Sequence, residues 1–532
     1  MKFNWKIKGF IAAAALTLLL AGCSNSSDID KMNGMDHSTM DMGENSETSS
    51  SDTVTLITAA TEVASLSGRS VTLTAQVSNQ EIAPGVTLPV WTFNNSVPGP
   101  ELRIKQGEVV KVTLNNQLPE PASIHFHGVP LPNEMDGIPG VTQNAVQPGE
   151  SFVYEFKAEV PGSYWYHSHQ DSVNQLDRGL YGSFIVEANN DKSVDRDYSL
   201  ILDEWISTGT MDMSEMNMSD DNMEGMDHSQ MNMGEDSSMD MSHDMSMYDL
   251  YTINGKSGSL VNNLIVKEGE TVRIRLTNAG FISHQIHLHG HEFKVTAIDG
   301  QPVNNPSLVK DSVIAIAPGE RYDIEFEANN PGQWYIEDHG DTAAVKGMKA
   351  FIAYEGATEK SDLPNDSVVL PVFDMTQYGE NKQSTFTLDQ KYTLEYTMNL
   401  DTEMKNNETV YTINGAVFPE TESINVKKGD TVKVRMVNNS ESDDHPMHLH
   451  GHFFQVLSKN GEAVTGAPIM KDTLNLKPGE EYVVAFQADN EGNWMFHCHD
   501  LHHASSGMVT QLLYTDYQTD FVPDPNAGNK PE

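Results

Sequence analysis

The stretch PGESFVYEFKAEVPGSYWYHSH, Pro148–His169, is written three times in this chain with variations. It returns as PGERYDIEFEANNPGQWYIEDH from Pro318 and as PGEEYVVAFQADNEGNWMFHCH from Pro478. In each copy a Pro-Gly or Glu-Gly turn separates runs of alternating apolar and polar residues, the period of a strand with one buried face. A second phrase precedes each copy: QGEVVKVTLNN from Gln106, EGETVRIRLTN from Glu268 and KGDTVKVRMVN from Lys428. Such strands with Gly/Pro turns at short spacing predict an all-β protein of sandwiches or barrels. A recurrence from 318 to 478 is far too long for a solenoid unit, so it marks copies of one domain. The domains fall at about 54–190, 197–357 and 366–520. Residues 24–53 are polar and aperiodic and read as a disordered tether; residues 209–247 read likewise and form an insert within domain two.

The totals agree with three domains. The chain has 532 residues, of which 38% are hydrophobic, with 39 Gly and 24 Pro. The formal charge is −43, from 33 basic and 76 acidic residues, which excludes nucleic acid as a partner because phosphate binding needs a basic face.

There are two cysteines. Cys23 closes the stretch LLLAGC, after Lys2, Lys6, Lys8 and an apolar run from Phe10 to Ala21. A basic start, a short apolar core and small residues at the cut describe a signal peptide over 1–23, and the core is too short to span a membrane. Leu20-Ala21-Gly22-Cys23 resembles the bacterial lipobox, which implies a lipid on Cys23 and an extracytoplasmic protein anchored to the cell membrane. The alternative is ordinary secretion with cleavage nearby. A lipidated Cys23 leaves Cys498 as the single thiol, and a metal is its natural occupant.

Cys498 stands in HCHDLHHASSGM, His497–Met508. On a strand, His497 and His499 share one face and Cys498 points to the other, so one segment can serve two metal centres. Three more histidine clusters complete the pattern: HFH at His125 and His127, HSH at His167 and His169, and HPMHLH at His445, His448 and His450. Together they resemble the multicopper oxidases, over nearly the whole mature chain. The resemblance implies three consecutive cupredoxin-like Greek-key domains and four coppers. By motif position, His445, Cys498, His503 and Met508 would hold a type 1 copper, the blue-copper pattern with a weak axial methionine. His125 and His448 would hold the type 2 copper; His127, His167 and His499 one type 3 copper; His169, His450 and His497 the other. The cluster of three would lie in the seam between domains one and three, with Cys498, His497 and His499 as the electron path. Substrate oxidation would be coupled to four-electron reduction of O2 to water, and Met508 implies a moderate type 1 potential.

The family also places acids near the O2 site. Asp136 stands where one would be; the other position holds Ala504, and Asp500 is the candidate replacement. His452 and His502 fall outside ligand positions and read as supporting or surface residues.

Domain two repeats the motif as His284, His287, His289 and His291, but carries Glu337-Asp338-His339 where domain three has HCH, with Met348 aligned to Met508. Without a thiolate no blue copper can form there. The readings are a decayed site kept for folding or spacing, or a residual copper station. The insert, Met211–Met247, spaces methionines with Asp, Ser, Asn and Gly, has no Lys or Arg, and carries His228 and His243. Polar residues interrupt every possible apolar face, whereas thioethers are soft ligands that favour Cu(I). Similar segments typify the family's copper-tolerance branch. The expected substrate is therefore Cu(I), with laccase-like turnover of phenols as a side activity; phenols need access to the edge of a type 1 imidazole such as His445 or His503, an edge the insert would partly cover. The rivals are a phenol or aromatic-amine oxidase and a non-enzymatic copper-sequestering protein.

Overall fold

The computed structural model describes residues 65–67, 70–190, 194–208, 245–340, 347–356, 369–405 and 408–532. The signal peptide, Cys23, the tether and residues 209–244 of the insert lie outside them.

Each copy of the repeat folds the same way. The first phrase forms the strands Val109–Asn116, Thr271–Asn278 and Thr431–Asn438. The second forms two strands per domain: Ser151–Lys157 and Gly162–His167, Arg321–Glu327 and Gln333–Asp338, Glu481–Gln487 and Asn493–Cys498. In every copy the first of these pairs antiparallel with the strand of the first phrase, and the second enters the other sheet. The polypeptide thus crosses between two sheets at the same turn three times. The Pro-Gly turns need a left-handed residue, and Gly149, Gly319 and Gly479 have φ of 82°, 82° and 76°. Among the described residues, domain one has sheets of four and five strands, domain two of six and five, and domain three of seven and five, with apolar side chains buried between the sheets.

Val109–Asn116 alternates buried positions with exposed or half-buried ones as the pattern predicts. Its domain-two counterpart does not: Thr271–Asn278 is buried at every position but the first. The polar face of that sheet is covered by domain one. Ser163 Oγ donates to Asp323 Oδ2 at 2.8 Å, and Arg275 Nη1 donates to Ser163 Oγ at 2.8 Å. Domain two is therefore a wedge with two covered faces.

Three stretches near the domain boundaries make contacts that the repeat pattern does not show. Met245–Met247, placed in the insert, form a 3-10 turn, and Met245 packs on the core. Residues 371–378, placed near the start of domain three, lie on domain two: Val313 N donates to Pro371 O, and Tyr378 Oη donates to Ser307 O at 2.5 Å. The chain beyond 520 runs back over domain one, where Gln147 Nε2 donates to Ala527 O at 2.8 Å and Gln170 Nε2 to Gly528 O at 2.8 Å.

Candidate metal centre

Two ribbons carry the histidines. In domain one His125–His127 pairs antiparallel with Gly162–His167, setting His125 opposite His167. In domain three His445–Leu449 pairs with Asn493–Cys498, setting His448 opposite His497 and Met447 opposite Cys498. Period-2 geometry puts each H-x-H pair on one face, and the two faces meet. His127 stacks on His448 with ring centroids 3.7 Å apart, and His125 on His450 at 4.1 Å.

All eight imidazoles are at most 1% exposed. Backbone carbonyls fix their orientation: Nδ1 of His125 donates to Asp136 O at 2.8 Å, of His167 to Ser168 O at 2.9 Å, of His448 to Asp472 O at 3.0 Å and of His497 to Cys498 O at 2.9 Å. The far nitrogens of His125, His167, His169 and His448 then have no hydrogen-bond partner, nor do Nδ1 of His127 and either nitrogen of His499. Buried polar atoms are rarely left unpaired, and so many converging lone pairs are accounted for by cations. Burial, then the neighbouring imidazoles, holds His127, His167, His450, His497 and His499 well below the usual histidine range, in the neutral form that binds metal. Donor atoms lie within 4.8 Å of one another in the sets His127–His167–His499, His169–His450–His497 and His125–His127–His448. The residues present fit a three-metal cluster.

A separate set lies on the other face of the strand. Cys498 Sγ is 3.9 Å from His445 Nδ1 and 3.6 Å from His503 Nδ1, and the two nitrogens are 3.2 Å apart. Ligands bonded tetrahedrally at ~2.0–2.3 Å stand roughly 3.3–3.7 Å apart, so one ion fits among them. Burial, then Asp500, pushes the Cys498 thiol well up, so a thiolate there needs a cation beside it. Ser440 Oγ lies 2.7 Å from His445 Nε2, and Tyr411 stacks on His503 at 3.9 Å. Met508 is fully buried, and its carbonyl accepts from Cys498 N at 3.0 Å.

Around the cluster stand residues that sequence reasoning missed. Asp472 lies 3.3 Å from His127 Nε2 and 3.5 Å from His448 Nδ1, and is paired with Arg321 of domain two. Thr473 Oγ1 is 3.0 Å from His127 Nε2. Gly319 packs so closely that a Cβ would stand 2.9 Å from His499 Cγ and 3.1 Å from His127 Cε1. Glu532, its side chain 9% exposed, brings Oε1 to 3.4 Å from His497 Nδ1 and 3.8 Å from His169 Nε2. Nothing in the sequence pattern marks it.

Asp136 lies beside the cluster, with Oδ2 3.0 Å from His450 Nδ1. Asp500, the candidate for the acid missing at Ala504, faces the other centre. Its Oδ1 accepts from His502 N at 3.1 Å, capping the helix Leu501–Ser505, and its Oδ2 is 3.3 Å from His503 Nε2. Ala504 itself packs with Ile138, Met495 and Val509. Both imidazoles of this set are covered: His445 is 0% and His503 5% exposed.

In domain two, His284 takes the place of His445 but bonds carboxylates, with Nδ1 2.7 Å from Asp338 Oδ2 and Nε2 3.2 Å from Glu204 Oε2. His291 and His452 play one structural part in their two domains: each lies by a carbonyl two residues earlier at 3.1 Å and by a tyrosine hydroxyl, Tyr354 at 2.6 Å or Tyr514 at 2.7 Å. His502 is packed edge-on against Phe281 of domain two, 4.8 Å away.

Family models described as multicopper oxidase match residues 74–191, 196–357 and 385–518. The chain is 31% identical over 464 residues to multicopper oxidase MmcO of Mycobacterium tuberculosis, covering 84% of this chain and 88% of that protein. It is 28% identical to Laccase-1 of Botryotinia fuckeliana over 82% of this chain and 80% of that one. The crystal structure of a multi-copper oxidase from Pseudomonas thermotolerans superposes with a TM-score of 0.63 at 27% identity, covering 85% of this chain and all of that chain. The chain belongs to the multicopper oxidase family: it is an oxygen-using oxidoreductase of cupredoxin-like domains that carries four coppers.

Proposed function

We propose that the protein oxidises Cu(I) to Cu(II) in copper tolerance, outside the cytoplasm, anchored to the bacterial cell membrane through a lipid on Cys23. His445, Cys498, His503 and Met508 hold the type 1 copper. His125 and His448 hold the type 2 copper, and His127, His167, His499 with His169, His450, His497 the type 3 pair. The coppers supply one-electron oxidation of substrate at the first site and four-electron reduction of O2 to water at the cluster.

The chain's part is position and insulation. Cys498 is joined by one peptide bond each to His497 and His499, so a short covalent path links the two centres. Ser440 and Asp500 fix the imidazoles of His445 and His503 from their far nitrogens. Asp136 holds His450 from Nδ1, carbonyls hold His125, His167, His448 and His497, and Thr473 holds His127. Burial of all eight cluster imidazoles keeps bulk water out.

The observation that carries the substrate reading is where the methionine-rich insert is rooted. Its ends meet where Asp249 N donates to Trp205 O at 3.1 Å. Next along the chain, Tyr248 packs by Phe281 at 6.1 Å and donates to Asp177 at 2.9 Å. Phe281 touches His502, and His502 is bonded to the Asp500 that holds His503. Soft thioethers thus enter the fold four contacts from the first redox centre, whose imidazoles are at most 5% exposed. Sequestration alone would not require a three-metal cluster.

The test is the turnover of Cu(I) against that of a phenol on one copper-loaded preparation. The reading requires Cu(I) to be the better substrate by kcat/KM; a phenol that wins makes the protein a laccase.

A further inference from the structure

Domain two keeps three imidazoles together although it lacks the thiol. His287 and His289 have ring centroids 4.4 Å apart, His287 and His339 5.5 Å, and His289 and His339 5.8 Å. The cluster set His127, His167 and His499, whose donor atoms converge, has spacings of 5.9, 4.8 and 5.5 Å. The two triads are nearly the same size. The orientation of His287 is also retained: its Nδ1 donates to Ser312 O at 2.9 Å, as Nδ1 of His448 donates to Asp472 O at 3.0 Å, which frees Nε2. His289 is 2% exposed, and its Nδ1 has no hydrogen-bond partner. Beside it Glu337 stands where domain three has His497, with Oε1 2.9 Å from His289 Nε2. Lys349 holds the other oxygen at 2.6 Å.

We propose that His287, His289 and His339 form a mononuclear site for a divalent ion of the imidazole-preferring kind, Cu(II) or Zn(II), with Glu337 holding His289 from its far nitrogen. Three imidazoles suit these ions and not Ca or Mg. A cluster cannot form, because the four cluster imidazoles of domain one are committed to the seam with domain three. Oxidase turnover does not involve the site, because Asp338 occupies the position of the cysteine and is bound to His284. His339 lies past the end of its strand and is only half-buried, which gives an ion a way in.

The experiment uses the copper-loaded full chain titrated with Zn(II) alone, which thioethers bind poorly. Expected is one tight Zn(II) per chain, with copper content and blue colour unchanged. His339→Ala, at a half-buried position, should weaken that binding at least about tenfold, since even supporting residues of metal sites are worth that much. His289→Ala should do the same, and Zn(II) should raise the Tm of the parent but of neither variant. A parent that takes up no tight Zn(II), or variants that bind it as the parent does, overturns the site; in the second case the acids and His228 or His243 of the insert would be the binders.

Discussion

Arg321 and Asp472 form a bidentate ion pair, both arms 2.6 Å long and both side chains 0% exposed, that ties domain two to the histidines shared by domains one and three. Burial alone would raise the Asp472 pKa; the Arg321 guanidinium outweighs it and holds the carboxyl well below the usual range. The charged carboxylate then receives His127 and His448 from its other side.

Arg321→Ala should therefore leave a buried charge beside two cluster imidazoles. Breaking a buried pair from one side costs roughly 3–5 kcal/mol. Denaturant unfolding should register that loss, and metal analysis should find the seam coppers depleted while the blue centre persists. A variant with parental stability and full copper would show that the pair does not organise the cluster.

Domain two's own ion pair sets a pH dependence. Burial disfavours a charged His284, but hydrogen bonds to Asp338 and Glu204 outweigh it and raise its pKa to about 9. A pKa raised on folding stabilises fully below the unfolded value of ~6.5, and the benefit is lost as pH rises through the folded value. His284→Asn should thus lower Tm most below pH ~6.5, with the gap narrowing toward pH 9. The full effect is roughly 2–4 kcal/mol at ~1.4 kcal/mol per unit. A gap that widens with pH would mean the imidazole is neutral.

These two pairs also mark what the sequence left illegible. The repeated phrases gave the three sandwiches, because strand period and Pro-Gly turns are local signals, and H-x-H spacing gave both ribbons. Arg321, Asp323 and Arg275 read as the polar side of an amphipathic strand; only the packing of domain one against domain two shows that side to be interior. Asp472 and Glu532 reach the cluster through contacts between domains, and such contacts leave no periodicity. Asp500 misled because proximity in sequence to His499 did not fix its direction; helix capping turned it toward His503.

Replacing residues 211–244 with a Gly/Ser linker should leave blue colour and O2 chemistry intact, since every donor of both centres lies elsewhere. Cu(I) turnover should fall, and phenol turnover should hold or rise. The ratio of the two rates on one preparation cancels differences in copper loading. An unmoved ratio would remove the main support for copper tolerance.

Cys23→Ala should shift the protein out of the membrane fraction or block its processing. Normal cleavage with full membrane retention in that variant would show a different anchor.

The two centres meet at one residue, so the most direct measurement is made on Cys498→Ser, a change of a single buried atom. Expected are loss of the blue band, loss of substrate-driven O2 uptake and a fall from four coppers to three, with the type 2 signal in electron paramagnetic resonance retained. A variant that stays blue, or that still couples substrate oxidation to O2 uptake, would contradict the assignment of Cys498 as ligand and electron path.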